Sequence, residues 1–270
     1  MKTSIRILAA VAICLSSASA APIISATFVS TGSRQSLNGT QVDLTSNDPG
    51  SSWVWGGGYD WAGSPFVSAT WDPPGIPVNI ADLSNENTAL GLSLSSAGGY
   101  TKPTKFTVSA NLRTTVVSTL GGSGLGTWSA MPARTNGALS ITGFTGILMK
   151  PTAGNGTLQL VENGALVGSA YNVGFALTTA FYGLTYTVDT SSGAISDVVF
   201  NGSSISAFSS TAFTDSATSF VGVMSGNAGR TSLNSFSVTA VPEPSTWALL
   251  LGGGLVLGFL RYTRRSLAKK

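Results

Sequence analysis

Between its two ends the chain alternates apolar residues with serine and threonine far more often than it repeats them at helical spacing. ATFVS (26–30), FVSATW (66–71), ALGLSLS (89–95), KFTVSANL (105–112), LSITGFTGILM (139–149) and FSVTAV (236–241) follow a two-residue period. That period predicts strands with one buried face and one polar face. In TLQLVENGALVGSAY, Asn163-Gly164 separates two such runs, and Asn-Gly supplies the two positive-φ positions of a tight hairpin turn. In GLTYTVDTSSGAISDVVFNG, Thr185 to Val188 and Ala194 to Phe200 are expected to pair across a loop of Asp189, Ser191, Ser192 and Gly193. LGGSGLG (120–126) reads as the strongest loop. Many short strands without helical partners predict an all-β fold, an antiparallel β-sandwich over residues 21–240. No internal repeat favours a solenoid or propeller.

The ends break this pattern. Met1 to Ala20 has a basic start (Lys2, Arg6), an apolar stretch and a small-residue close, SSASA. This order predicts a secretory signal peptide, residues 1–20, cut between Ala20 and Ala21. Cys14, the only cysteine, follows Ile13 rather than a small residue, so lipidation is not expected. It leaves with the signal peptide, and the mature domain is expected to stand on core burial without disulfides.

The second end, residues 241–270, begins VPEPSTWALL. Trp247 to Leu260 is an uninterrupted run of apolar residues and glycine, fourteen positions long. As a helix it extends about 21 Å against a hydrocarbon core of about 30 Å. A membrane helix over about 247–262 therefore spans only with bilayer thinning or with Arg261 snorkelling to the interface. Gly254 and Gly258 form a G-x-x-x-G face. Pro242 and Pro244 bar helical extension upstream and hold Glu243 in an extended strip. The basic tail, 261–270, is expected on the cytoplasmic side and the sandwich outside.

Charge changes meaning once these ends are set apart. The net charge of +3 reflects two basic residues in the leader and five in the tail; between Ala21 and Val241, seven basic residues face ten acidic ones. A clustered basic face for nucleic acid is not supported. The chain has no histidine, so Ser-His-Asp triads, Cys-His pairs and His- or Cys-ligated metal sites are excluded from the mature domain. Carboxylate chemistry survives, but the domain's glutamates, Glu86 and Glu162, sit in no recognisable catalytic pattern. DLTSNDPG (Asp43, Asp48) and DLSNENT (Asp82) offer oxygen ligands for calcium. The same residues also serve as turn formers. Asn-x-Ser/Thr at Asn201 reads as a turn first.

Four of the six tryptophans fall within 53–71. Trp53 and Trp55 share a parity, and with Tyr59 and Trp61 they are candidates for stacking on sugar rings, core packing being the competing role.

Two resemblances follow. Pro242-Glu243-Pro244, the apolar run and Arg261, Arg264 and Arg265 together resemble the PEP-CTERM sorting signal of Gram-negative bacteria. The resemblance implies export through the inner membrane and processing by an exosortase, a membrane protease. It also implies a cell-surface or extracellular destination in systems that make exopolysaccharide. The run from Tyr182, ending LNSFSVTAV, resembles the last third of a concanavalin A-like (laminin G-like) jelly roll, with Leu233-Asn234-Ser235-Phe236 where that family often has F-D-N-F. The expectation is an exported, non-enzymatic surface or matrix protein, structural or polysaccharide-associated. No cofactor is expected, and calcium is the one candidate left open. A carbohydrate-active enzyme, a glycoside hydrolase or lyase using loop carboxylates, is the alternative.

Overall fold

A computed structural model of the protein describes residues 22–27, 35–36, 55–58, 66–68, 80–83, 88–94, 102–114, 122–130, 143–152, 154–178, 180–206, 208–225 and 231–241. Pro22–Ala240 form one compact unit. The strands in chain order begin β1 (Pro22–Thr27), β2 (Gln35–Ser36), β3 (Trp55–Gly58), β4 (Phe66–Ser68), β5 (Ile80–Leu83), β6 (Thr88–Ser93), β7 (Lys105–Thr114) and β8 (Ser123–Trp128). They continue with β9 (Phe144–Pro151), β10 (Gly156–Glu162), β11 (Ala165–Asn172), β12 (Tyr182–Asp189), β13 (Ala194–Phe200), β14 (Ser203–Ser204), β15 (Phe220–Ser225) and β16 (Thr231–Ala240). Among the described residues one 3₁₀ turn, Ser216–Thr218, is the only helical element.

The strands form two antiparallel sheets. One has nine strands in the order β14-β13-β12-β7-β16-β5-β4-β2, with β1 also on β16; the other has seven, β11-β10-β9-β8-β15-β6-β3. The far edge of β16 is shared: Thr231–Leu233 pair with β5 and Ser235–Thr239 with β1. The chain crosses between sheets repeatedly, as from β7 to β8, β11 to β12 and β15 to β16, which makes the sandwich jelly-roll-like.

The alternation expected for 105–112 is present in β7. Phe106, Val108, Ala110 and Leu112 are buried between the sheets, while Lys105, Thr107, Ser109 and Asn111 lie half-open on the other side. From the seven-stranded sheet, Leu125, Ile147, Met149, Leu158, Leu160, Val221 and Val223 complete the same core. Tyr186 of β12 reaches across it and donates its phenol O–H to the Leu125 carbonyl of β8 at 2.7 Å. That bond satisfies a hydroxyl that burial would otherwise strand.

Both expected hairpins form. Asn163 (φ 48°) and Gly164 (φ 84°) join β10 to β11 with the two positive-φ residues that a primed turn requires. Beyond the second hairpin, Asn201 (φ 48°) and Gly202 (φ 79°) join β13 to β14 in the same way, so the Asn201 sequon lies on a turn. Asp189 caps the β12–β13 loop, accepting from Ser191 Oγ at 2.6 Å and from the Ser191 and Ser192 amides at 2.9 and 3.3 Å.

One expectation is overturned. Ser123-Gly124-Leu125-Gly126 is not loop but the first part of β8, buried on both faces and paired with β9 and β15. Side chains have no room there: a Cβ at Gly124 would meet Met224 first, and those at Gly126 and Gly146 the carbonyls of Thr145 and Leu125, with the Phe144 ring close behind in each case. A Cβ at Gly124 would lie 3.0 Å from Phe144 Cζ, one at Gly126 2.7 Å and one at Gly146 2.9 Å. The Phe144 ring therefore rests on the bare backbone of β8 and of its own strand β9. Glycine inside a strand commonly marks such close approach.

Candidate functional site

The sequence-derived site residues fall mostly beyond the described residues. Ala20 and Ala21, Asp43 and Asp48, Trp53, Tyr59 and Trp61, Pro242, Glu243 and Pro244, and Arg261, Arg264 and Arg265 all lie outside them. Trp55 opens β3, its backbone opposite Leu92. Asp82 sits on β5, opposite Phe66 on one side and Ser232 on the other. Among the described residues no helix is long and apolar enough to cross a membrane, and the segment 247–262 lies outside them. No group of three or more Asp or Glu side chains gathers among the described residues either.

Two features of the sandwich bear on function. The first is where its ends lie. Strands β1 and β16, first and last in the chain, are antiparallel neighbours, with Pro22 opposite Thr239. The segments before Pro22 and after Ala240 thus attach at the same end of one strand pair. Ala240 still pairs with Phe106 of β7, so the ladder is complete before Pro242 is reached.

The second feature is a surface that reading the sequence missed. β11 is the outermost described strand of the seven-stranded sheet, and nearly all of its residues are exposed. Leu166 (52% exposed), Tyr171 (38%) and Phe175 (36%) are the large hydrophobic side chains most open to water among the described residues. They do not share one face: Leu166 stands opposite Val161 of the outer cluster, and Tyr171 opposite Leu158 of the core between the sheets. The edge is tied down nonetheless: Gln159 Nε2 donates to the carbonyls of Val167 (2.8 Å) and Gly168 (3.2 Å), where the β10–β11 register slips and Gly168 takes φ 66°. Beyond β11 the chain stays on the sheet, since Val173 N donates to Gly156 O at 3.0 Å and Gly156 N to Phe175 O at 2.7 Å.

Phe175 there meets the other sheet. Its ring lies 6.2 Å from Phe200 with planes 13° apart and 5.2 Å from Tyr182, whose hydroxyl donates to Ala176 O at 2.9 Å. Phe200 and Tyr182 are buried. A sequence signal for this surface existed: ALVGSAYN carries apolar residues on both parities, unlike the half-buried strands elsewhere.

Of the charged groups, Glu162 stands opposite Ala165 at the hairpin end of β11, and Lys150 of β9 shares a cross-strand row with Thr157 and Asn172. Lys102 pairs with Asp215 at 2.7 Å and also binds Thr218 Oγ1 at 3.1 Å. Arg113, 5% exposed, lies 5.1 Å from the centre of the Phe181 ring, and its Nε has no hydrogen-bond partner among the described residues. Hydrogen bonds from Ser191 and the following amide hold the Asp189 carboxyl below its ordinary range, a structural role in the loop.

The class of protein so defined is an antiparallel, jelly-roll-like β-sandwich with a sorting segment after its last strand. Residues 240–265 match the PEP-CTERM protein-sorting motif, so the chain carries that signal and is an exported protein. A search of the curated proteins finds no match. Among solved structures the chain is similar to the Emp47p carbohydrate recognition domain, at 13% identity, 84% of this chain, 100% of that chain and a TM-score of 0.42. It is also similar to the botulinum neurotoxin serotype D binding domain, at 13% identity and a TM-score of 0.44, over 87% of this chain and 51% of that one. The chain thus spans about half the length of the toxin domain.

Proposed function

We propose that this protein is an exosortase substrate delivered to the cell surface or extracellular matrix. There it acts without catalysis, as a structural or polysaccharide-associated sandwich. The observation that carries the reading is the sorting motif at 240–265, which begins where β16 ends. In this scheme the leader is removed between Ala20 and Ala21, and the apolar segment 247–262 holds the exported chain in the inner membrane. Cleavage near Pro242-Glu243-Pro244 then releases it. Both cuts flank the sandwich by no more than a few residues, and neither removes a residue of β1 or β16. Processing at both ends would therefore leave the core and its hydrogen-bond ladders intact, as a protein that works after cutting requires.

The test is mass spectrometry of the surface and released protein, with an antibody against the tail. The expected mature chain starts at Ala21, ends near Pro244 and lacks Arg261, Arg264 and Arg265. Surface protein that still carries Lys270 would overturn the sorting reading.

A further inference from the structure

Resting on the polysaccharide-associated reading above, we propose that Phe175 and Tyr171 form a stacking site for a neutral polysaccharide at the β11 edge. The rings are presented rather than merely exposed. Phe175 is backed by Phe200 in near-parallel stacking and by Tyr182, and a backbone bond to Gly156 fixes its position on the chain. A ring held this way loses little freedom on binding, so its contact area converts into affinity efficiently. An aromatic face of this kind suits the C–H face of a pyranose.

The polar surroundings choose the ligand. No charged residue occurs from Asn163 to Val188, nor from Val198 to Thr214, the two segments that supply Tyr171, Phe175, Tyr182 and Phe200. What they offer instead are exposed hydroxyls and carboxamides: Ser169, Asn172, Asn201, Ser203 and Ser204. Such groups pair with sugar hydroxyls as both donors and acceptors. Lys150 lies two strands in from Asn172 in the same row, and the edge segments themselves give an anionic polymer no cation to bind. A second copy of the chain fits poorly, because the Gly168 bulge and the Gln159 bonds interrupt the row of backbone groups that strand-to-strand pairing would use.

The experiment is affinity electrophoresis of the full chain in gels containing a neutral β-glucan, mannan or dextran, with anionic alginate as the contrast. At least one neutral polymer should retard the wild type. Phe175→Ala should weaken that retardation about tenfold, the scale of one aromatic contact. Tyr171→Ser should weaken it less, and Phe175→Trp should restore it. Tyr171→Ser is a surface change outside the Phe175–Tyr182–Phe200 cluster, so it reads the site even where Phe175→Ala loosens the fold. If the wild type is retarded and both variants match it, the site is wrong while the polysaccharide association stands. Retardation by alginate alone, or by no polymer, overturns the site, and the absence of all binding removes the polysaccharide reading as well. A shift in sedimentation between wild type and Tyr171→Ser would instead make the patch a contact between copies and overturn the proposal.

Discussion

The two sheets of the sandwich treat their outer faces in opposite ways. On the nine-stranded sheet the outward residues at the middle of β7, β12 and β16 are short and hydroxylated. Thr239, Thr107 and Thr187 form one cross-strand row, and Ser237, Ser109 and Thr185 form the next. Neighbours within these rows bond to each other, Thr107 to Thr187 at 3.1 Å and Ser109 to Thr185 at 2.8 Å. On the seven-stranded sheet the corresponding face is apolar and buried: Trp128, Phe144, Leu148, Val161 and Met224 form a second cluster, with Phe220 against it. There the cross-strand row is glycine, running Gly146, Gly126, Gly222, Gly91 and Gly56 over five strands. A half-open sheet tolerates any small polar residue on its outer face. A sheet buried on both faces must provide room, and Gly126 and Gly146 of the row leave it for the Phe144 ring, which meets Trp128 at 5.1 Å between centroids.

The sharpest way to break this comparison is to fill the row. Gly126→Ala adds one methyl group, which would meet the Thr145 carbonyl and the Phe144 ring. Overpacking of this kind costs about 1–3 kcal/mol, and it should appear as a lower urea midpoint with an unchanged slope. Indifference to the methyl group would mean that the ring does not depend on bare backbone.

The next prediction concerns the bond that joins the sheets. Tyr186→Phe removes the phenol that reaches Leu125 and should cost about 1 kcal/mol near neutral pH. Burial pushes the Tyr186 phenol well above its ordinary range. Above about pH 10 an unfolded tyrosine ionises while this one stays protonated. The unfolded state then binds fewer protons, and wild-type stability falls as pH rises, by up to about 1.4 kcal/mol per unit. Tyr186→Phe lacks that component. Urea unfolding of both proteins at pH 8 and pH 11 should therefore show the gap narrowing at the higher pH; a constant gap would mean that the phenol ionises equally in both states.

The difference between the sheets also explains what could be read from the sequence. Alternation revealed β7 and much of β16 because one face is polar, and Asn163-Gly164 revealed its hairpin because the turn chemistry is local. β8 was read as loop because glycine and serine punctuate loops more often than strands. The reason for those glycines emerges only when β8 is set beside β9 and β15, whose Phe144, Thr145 and Met224 take the space. The same limit applied to the candidate site. The sorting motif is contiguous and was legible in full. The density of tryptophan drew attention to Trp53, Trp55 and Trp61, whereas Phe175 gains its backing from Phe200 and Tyr182, a contact that folding alone brings together.

The smallest expected effect lies on the opposite face from the glycine row. Ser109→Ala deletes one oxygen from the hydroxyl row, much as Gly126→Ala adds one carbon to the glycine row. The Thr185 hydroxyl loses its 2.8 Å partner, but on a half-open surface it turns to water instead of remaining unpaired. Cross-strand hydroxyl pairs contribute about 0.2–1 kcal/mol, so the loss should stay within that range and below that of Gly126→Ala. Urea unfolding of the two variants side by side checks the order. A loss from Ser109→Ala equal to that from Gly126→Ala would show that both sheets are packed alike on their outer faces, and the contrast between them would fall.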